Sequence, residues 1–153
     1  MRRVLFLDID GVLVRREGVR FDPECIQLLE ILLRATGARP VIISSYRNKG
    51  LPWLRRLWKQ HGLYGTVADR TPQLDASRGA EIAAWLKSHQ VSSYVIIDDN
   101  PDELLTEQRA RVVEPDPRYG LRAQDVLACI KLFGIGEQAT AASRHRGSLR
   151  PST

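Results

Sequence analysis

Only two of the 153 residues are cysteine, Cys25 and Cys129, and they stand far apart in no CxxC or Cys/His pattern. A disulfide scaffold is excluded, and so is a zinc site, because the three histidines, His61, His89 and His145, form no pair at ligand spacing. Both cysteines are expected as small apolar residues on buried helix faces. No apolar run approaches the roughly 20 residues that cross a bilayer, so no membrane role is expected. The opening MRRVLFLDIDG is basic, but its apolar run meets Asp8 and Asp10 too early for a signal peptide, and the chain reads as cytoplasmic. There is no internal repeat. What is there, 43% hydrophobic and 27% charged residues, suits one soluble domain large enough to bury a core without a staple. The net charge of +5 permits a polyanionic partner without demanding one. Much of the excess lies in a tail from Glu137 to Thr153, with Arg144, Arg146 and Arg150, where apolar periodicity ends. Residues 1–136 are read as the domain and 137–153 as a disordered basic tail.

Short apolar runs alternate with helical patterns. Val4–Leu7, Val41–Ile43 and Tyr94–Ile97 are too brief for helices and read as buried strands, with Arg111–Val113 a weaker fourth. Between them Ile26, Leu29 and Leu33 repeat at helical spacing after the Asp22-Pro23 start and stop at Gly37. Leu54, Leu57 and Trp58 do the same before Gly62, then Ile82, Trp85 and Leu86 after a cap at Asp75 or Ser77. Val126, Leu127, Ile130 and Phe133 mark a last helix. Strands that are apolar throughout, separated by helices, indicate a parallel sheet covered on both faces.

Such sheets bind ligands beyond the carboxyl ends of their strands. The first run ends in Asp8-Ile9-Asp10-Gly11, the second in Ser44-Ser45, the third in Asp98-Asp99-Asn100. Three strands thus aim carboxylates and hydroxyls at one spot. Converging carboxylates must bind a cation or shift their pKa values. An all-oxygen set suits Mg²⁺, which commonly bridges a phosphate.

These residues and their order resemble the haloacid dehalogenase (HAD) superfamily of aspartyl-phosphate phosphotransferases. Asp8-x-Asp10-Gly11-Val12-Leu13 is similar to its motif I, Ser44 to the motif II hydroxyl, Arg78 to the motif III cation, and Asp98-Asp99 to the motif IV acids. More narrowly, FLDIDGVL, VIISSYR, RGAEIAAWL, YVIIDDN and DPRYGL resemble the HAD domain of Swiss Army Knife RNA repair proteins, over nearly all of residues 3 to 133. The resemblance implies a three-layer, Rossmannoid HAD-like α/β fold with a central parallel sheet. It makes Asp8 the nucleophile, with Asp10 as general acid and then general base. Mg²⁺ would be held by Asp8, the Asp10 carbonyl, and Asp98 or Asp99. Ser44, or Ser45 with the register one residue off, would hydrogen-bond a phosphoryl oxygen. Arg78 stands where the superfamily usually has Lys, and stays charged.

Neither the gap between Gly11 and Pro23 nor that between Ser44 and Arg78 holds a folded cap domain, so a capless, open site is expected. Capless members of the superfamily tend to act on macromolecules, and a phosphorylated nucleic-acid end, RNA or DNA, is the preferred substrate. Tyr46-Arg47-Asn48-Lys49, then Arg55, Arg56 and Lys59 with Trp53 and Trp58 interleaved, read as a basic aromatic platform or as an amphipathic helix with solvated cations. Arg47, close after Ser44, is expected to touch a substrate phosphate. Two other classes compete: a phospho-acceptor regulatory module and a non-catalytic nucleic-acid-binding domain. The early DxD and a cation placed before the last acids disfavour the first.

Overall fold

The computed structural model describes residues 2–135; the tail from Glu137 lies outside them. Five strands form one sheet, β1 (Arg2–Leu7), β2 (Arg39–Ile42), β3 (Asp69–Arg70), β4 (Val91–Ile97) and β5 (Val112–Val113). Their order is β3-β2-β1-β4-β5, and every pairing is parallel. The helices are α1 (Pro23–Thr36), α2 (Leu51–Gln60), α3 (Arg78–Lys87) and α4 (Ala123–Phe133). This is the expected α/β layering.

Strand β1 lies at the centre, and Val4, Leu5, Phe6 and Leu7 are all essentially inaccessible. Side chains alternate across a strand, so one run feeds two cores. Leu5 and Leu7 join Leu29 and Leu32 of α1, Leu54 and Trp58 of α2, and Val126 and Phe133 of α4. Val4 and Phe6 join Ile82 and Trp85 of α3 with Leu104. Phe6 meets Trp85 edge-on, with ring centroids 5.4 Å apart and planes at 88°. Helix α1 starts as its sequence indicates: Asp22 accepts from the N–H groups of Glu24 and Cys25, Pro23 opens the first turn, and Gly37 closes the helix at φ 66°. Ser77, not Asp75, caps α3.

Two features differ from the sequence reading. Strand β3, two residues at the sheet edge, has no apolar run to announce it. The fourth run contributes only Val112–Val113, because Arg111 ends a 3₁₀ turn over Thr106–Arg111 and spends its guanidinium on the carbonyls of Tyr94 and Leu132. Among the described residues no folded insert stands between β1 and α1. Only a 3₁₀ turn (Ser45–Lys49), α2 and β3 lie between β2 and α3. No described helix is long and apolar enough to cross a membrane.

Cys25 and Cys129 are both free and fully buried. Burial pushes the Cys25 thiol up to about 11, with Asp22 adding to it, and Cys129 up to about 12. The thiolate is the reactive form. A chromogenic disulfide reagent at pH 8 is therefore expected to label neither thiol in the folded protein and both in denaturant; rapid native labelling would contradict the packing.

Candidate active site

Because all five strands run the same way, the residues following β1, β2 and β4 gather at one edge of the sheet. Ladder hydrogen bonds still hold the main chain there. Asp8 N–H donates to the Ile97 carbonyl at 3.0 Å, Ile43 N–H to that of Leu7 at 3.1 Å, and Asp98 N–H to that of Val113 at 3.2 Å. Asp8 and Asp98 thus project from rigid backbone, and both are buried.

Beyond Asp8 the chain turns sharply. The Ile9 carbonyl accepts from the N–H groups of Val12, Leu13 and Val14, and Gly11 N–H reaches the Val14 carbonyl at 2.7 Å. Gly11 has φ +80°, and a Cβ there would overlap the Asp99 carboxylate. Glycine is needed twice over, for the turn and for the approach of Asp99. The DPRYGL stretch supports this turn from behind. Leu121 N–H donates to the Val12 carbonyl at 2.8 Å, and a Cβ on Gly120 would stand 2.7 Å from that same oxygen.

One carboxylate oxygen from each of Asp8, Asp98 and Asp99 lies within 4.8 Å of the others. Burial pushes the Asp8 carboxyl up to about 8; Arg78 opposes this, while the charge of Asp98 and the acceptor oxygen of Asp99 beside the protonated form add to it. The donors are all oxygen and already close together, which fits Mg²⁺.

Arg78 is the positive charge the fold itself supplies. Its Nη1 stands 2.7 Å from Asp98 Oδ2 and 3.5 Å from Asp8 Oδ2. A cation in the first turn of a helix opposes the helix dipole; here two buried carboxylates offset that cost. The turn is wedged in place. A Cβ on Gly79 would lie 2.7 Å from Gln108 Oε1 and from Leu105 N, and Gln108 Nε2 donates to the Gly79 carbonyl at 2.9 Å.

Of the other expected residues, Ser44 is buried at the end of β2, where its Oγ accepts the Tyr46 N–H at 3.2 Å. Ser45 is exposed at the start of the 3₁₀ turn. Asp10 is exposed, and its side chain stays outside the three-carboxylate cluster. Arg47 has partners within the molecule. Its guanidinium pairs with Glu81 of α3 at 2.7 Å, both side chains nearly buried, and donates to the Ile43 carbonyl. It ties the Ser44 turn to the helix that begins with Arg78. Glu81 was not legible as its partner; it also accepts the Leu74 N–H at 2.9 Å. Tyr46 was missed as a neighbour of Asp10. Its hydroxyl donates to Asp10 Oδ1 at 3.4 Å, and the only signal was its place two residues after Ser44.

An Asp-x-Asp loop, a hydroxyl, a cation and paired acids, in that chain order on a parallel α/β sheet with the cation at the start of α3, define a HAD-type domain. Residues 4–126 match the family model of the HAD domain in Swiss Army Knife RNA repair proteins, and the chain belongs to this family. No curated protein matches it.

Because folding raises the Asp8 pKa, its contribution to stability is full below the ordinary carboxylate value of 3.8 and is lost as pH rises towards about 8. In chelator, Asp8→Asn is therefore expected to gain Tm relative to the parent progressively between pH 4 and 8. A difference that does not change with pH would contradict the described electrostatics.

Proposed function

We propose that the protein is a Mg²⁺-dependent phosphomonoesterase that works through a phosphorylated Asp8 and acts on phosphorylated nucleic-acid ends. The observation that carries this reading is the meeting of Asp8, Asp98, Asp99 and Arg78 in one corner. Membership in a family of RNA repair domains favours a nucleic-acid substrate, and the lack of a folded insert over the site leaves room for a large one.

Asp8, Asp98, Asp99 and the Asp10 carbonyl would hold Mg²⁺, which would supply positive charge against the carboxylates and the phosphoryl group. Asp8 attacks phosphorus and the bond to the leaving oxygen breaks. Asp10, protonated, gives its proton to that oxygen. In the second half Asp10 takes a proton from water, whose oxygen displaces the Asp8 carboxylate and releases inorganic phosphate. Ser44 fits the phosphoryl contact: its Oγ accepts from Tyr46 N–H, which leaves its own hydrogen to donate. Ser45 faces solvent and has no part in this reading. Arg78 faces the same corner and can meet phosphoryl oxygens bidentately. Arg47 serves as a positioning residue through Glu81.

A panel of aryl phosphate, nucleotides, sugar phosphates and 5′- or 3′-phosphorylated oligonucleotides tests the reading. Phosphate release is expected to need Mg²⁺, to vanish in Asp8→Asn, and to fall about 10²-fold or more in Asp10→Asn. Undiminished turnover in Asp8→Asn would remove the nucleophile.

Tyr46 supplies a finer test. Its phenol pKa is raised by burial and by Asp10 and Asp8, so it remains a donor to Asp10. A general acid matters most when the leaving oxygen is basic. Tyr46→Phe is expected to lower the ratio of alkyl phosphate to nitrophenyl phosphate turnover about tenfold, the worth of one well-placed hydrogen bond to a charged group. An unchanged ratio would mean the phenol does not position Asp10.

A further inference from the structure

No acidic residue stands between Glu30 and Asp69, while Lys and Arg recur throughout. The stretch holds β2, the 3₁₀ turn after Ser44 and α2. Some of its cations are used inside the molecule: Arg47 on Glu81, Arg34 on Glu30 and over the Tyr64 ring, Arg55 on the Val67 carbonyl. Lys49, Arg56 and Lys59 differ. All three are exposed, and among the described residues none pairs with a carboxylate. At 3.6 residues per turn, Arg56 and Lys59 share one face of α2, opposite the buried Leu54 and Trp58; Lys49 stands in the turn before the helix. Like charges at such spacing work against a helix and gain nothing within the chain.

The first turn of α2 also takes part in an aromatic pair. The rings of Tyr46 and Trp53 are near parallel, at 12° with centroids 6.1 Å apart. Both are half-buried, and Tyr46 touches Asp10. The pair therefore links Asp10 to the start of α2, the helix that carries Arg56 and Lys59.

We infer that Tyr46, Trp53 and the Lys49–Arg56–Lys59 face form the track on which a single-stranded polynucleotide lies when its phosphorylated end enters the corner. The inference rests on the phosphatase reading for what happens at that end; the track is read from charge and rings. Unpaired bases offer flat faces to aromatic side chains, and backbone phosphates displace counterions from the cations. A helix carrying cations of one sign, with rings at the end nearest the site, supplies both contacts in sequence.

The test is fluorescence anisotropy of the full chain with a labelled, terminally phosphorylated single-stranded decanucleotide. Replacing Lys49, Arg56 and Lys59 together by Gln is expected to weaken binding about tenfold and to flatten the dependence of log Kd on log salt by about 2, roughly 0.7 for each phosphate no longer neutralised. The same removal of charge at Lys87, Arg109 and Lys131, away from this stretch, is expected to do much less. Trp53→Leu should weaken binding while leaving the salt slope unchanged. Equal effects from the two triple variants, binding to duplex as tight as to single strand, or equal competition by polyglutamate would each overturn the track; the last would point to an acidic protein partner. Binding is read without turnover. A chain that binds through these cations yet releases no phosphate refutes only the hydrolase, whereas an active phosphatase indifferent to the triple substitution refutes only the track.

Discussion

Three carboxylates crowded into one buried corner are the constraint to which the rest of the molecule answers. Such a group is costly: desolvation and mutual repulsion both oppose charge on Asp8, and Arg78 relieves only part of it. The fold imposes the crowding because Asp8 and Asp98 extend strands whose hydrogen-bond ladders continue through them. Neither can swing away without breaking sheet. Stability given up at this edge is gained elsewhere, in the two cores on either face of β1. The same unrelieved negative charge is what a divalent cation placed there would offset.

Small residues and a buried ion pair set the tolerances around it. Gly11 lets Asp99 approach, Gly79 lets the start of α3 press against Leu105 and Gln108, and Gly120 lets the DPRYGL stretch close on Val12. Arg47 and Glu81 join the turn after Ser44 to α3, so the hydroxyl and the guanidinium of Arg78 are held by one connection. Asp8, Asp98 and Arg78 are therefore fixed from several directions, while Asp10 lies on the open side.

Much of this was legible in the sequence, for identifiable reasons. Strands buried on both faces are apolar at every position, so β1, the core of β2 and β4 announced themselves. Asp22-Pro23 and Gly37 bounded α1 because caps are local chemistry. The acids at the strand ends followed from the parallel topology. What stayed hidden depends on partners distant in the chain. The edge strand β3 needs only two backbone pairings and carries no apolar signal. Arg47 sits three residues after Ser44 and invited a substrate role, yet its partner Glu81 lies on another helix, and nothing in the local pattern announces a buried pair. The phenol of Tyr46 beside Asp10 is a contact between two loops, which periodicity cannot report. That Arg34, Arg47 and Arg55 find partners inside the molecule was likewise knowable only from the fold.

The support of the Asp10 loop by Gly120 and Leu121 carries a consequence for how the molecule is made. The stretch that braces the loop is synthesised long after the loop itself, and β4, the neighbour that fixes Asp8, also emerges late. During translation the first strand and its turn leave the ribosome without either brace. The nascent chain therefore lacks this brace until Leu121 has been made, and any fragment ending before Gly120 would carry every one of the acids yet lack part of the scaffold that arranges them.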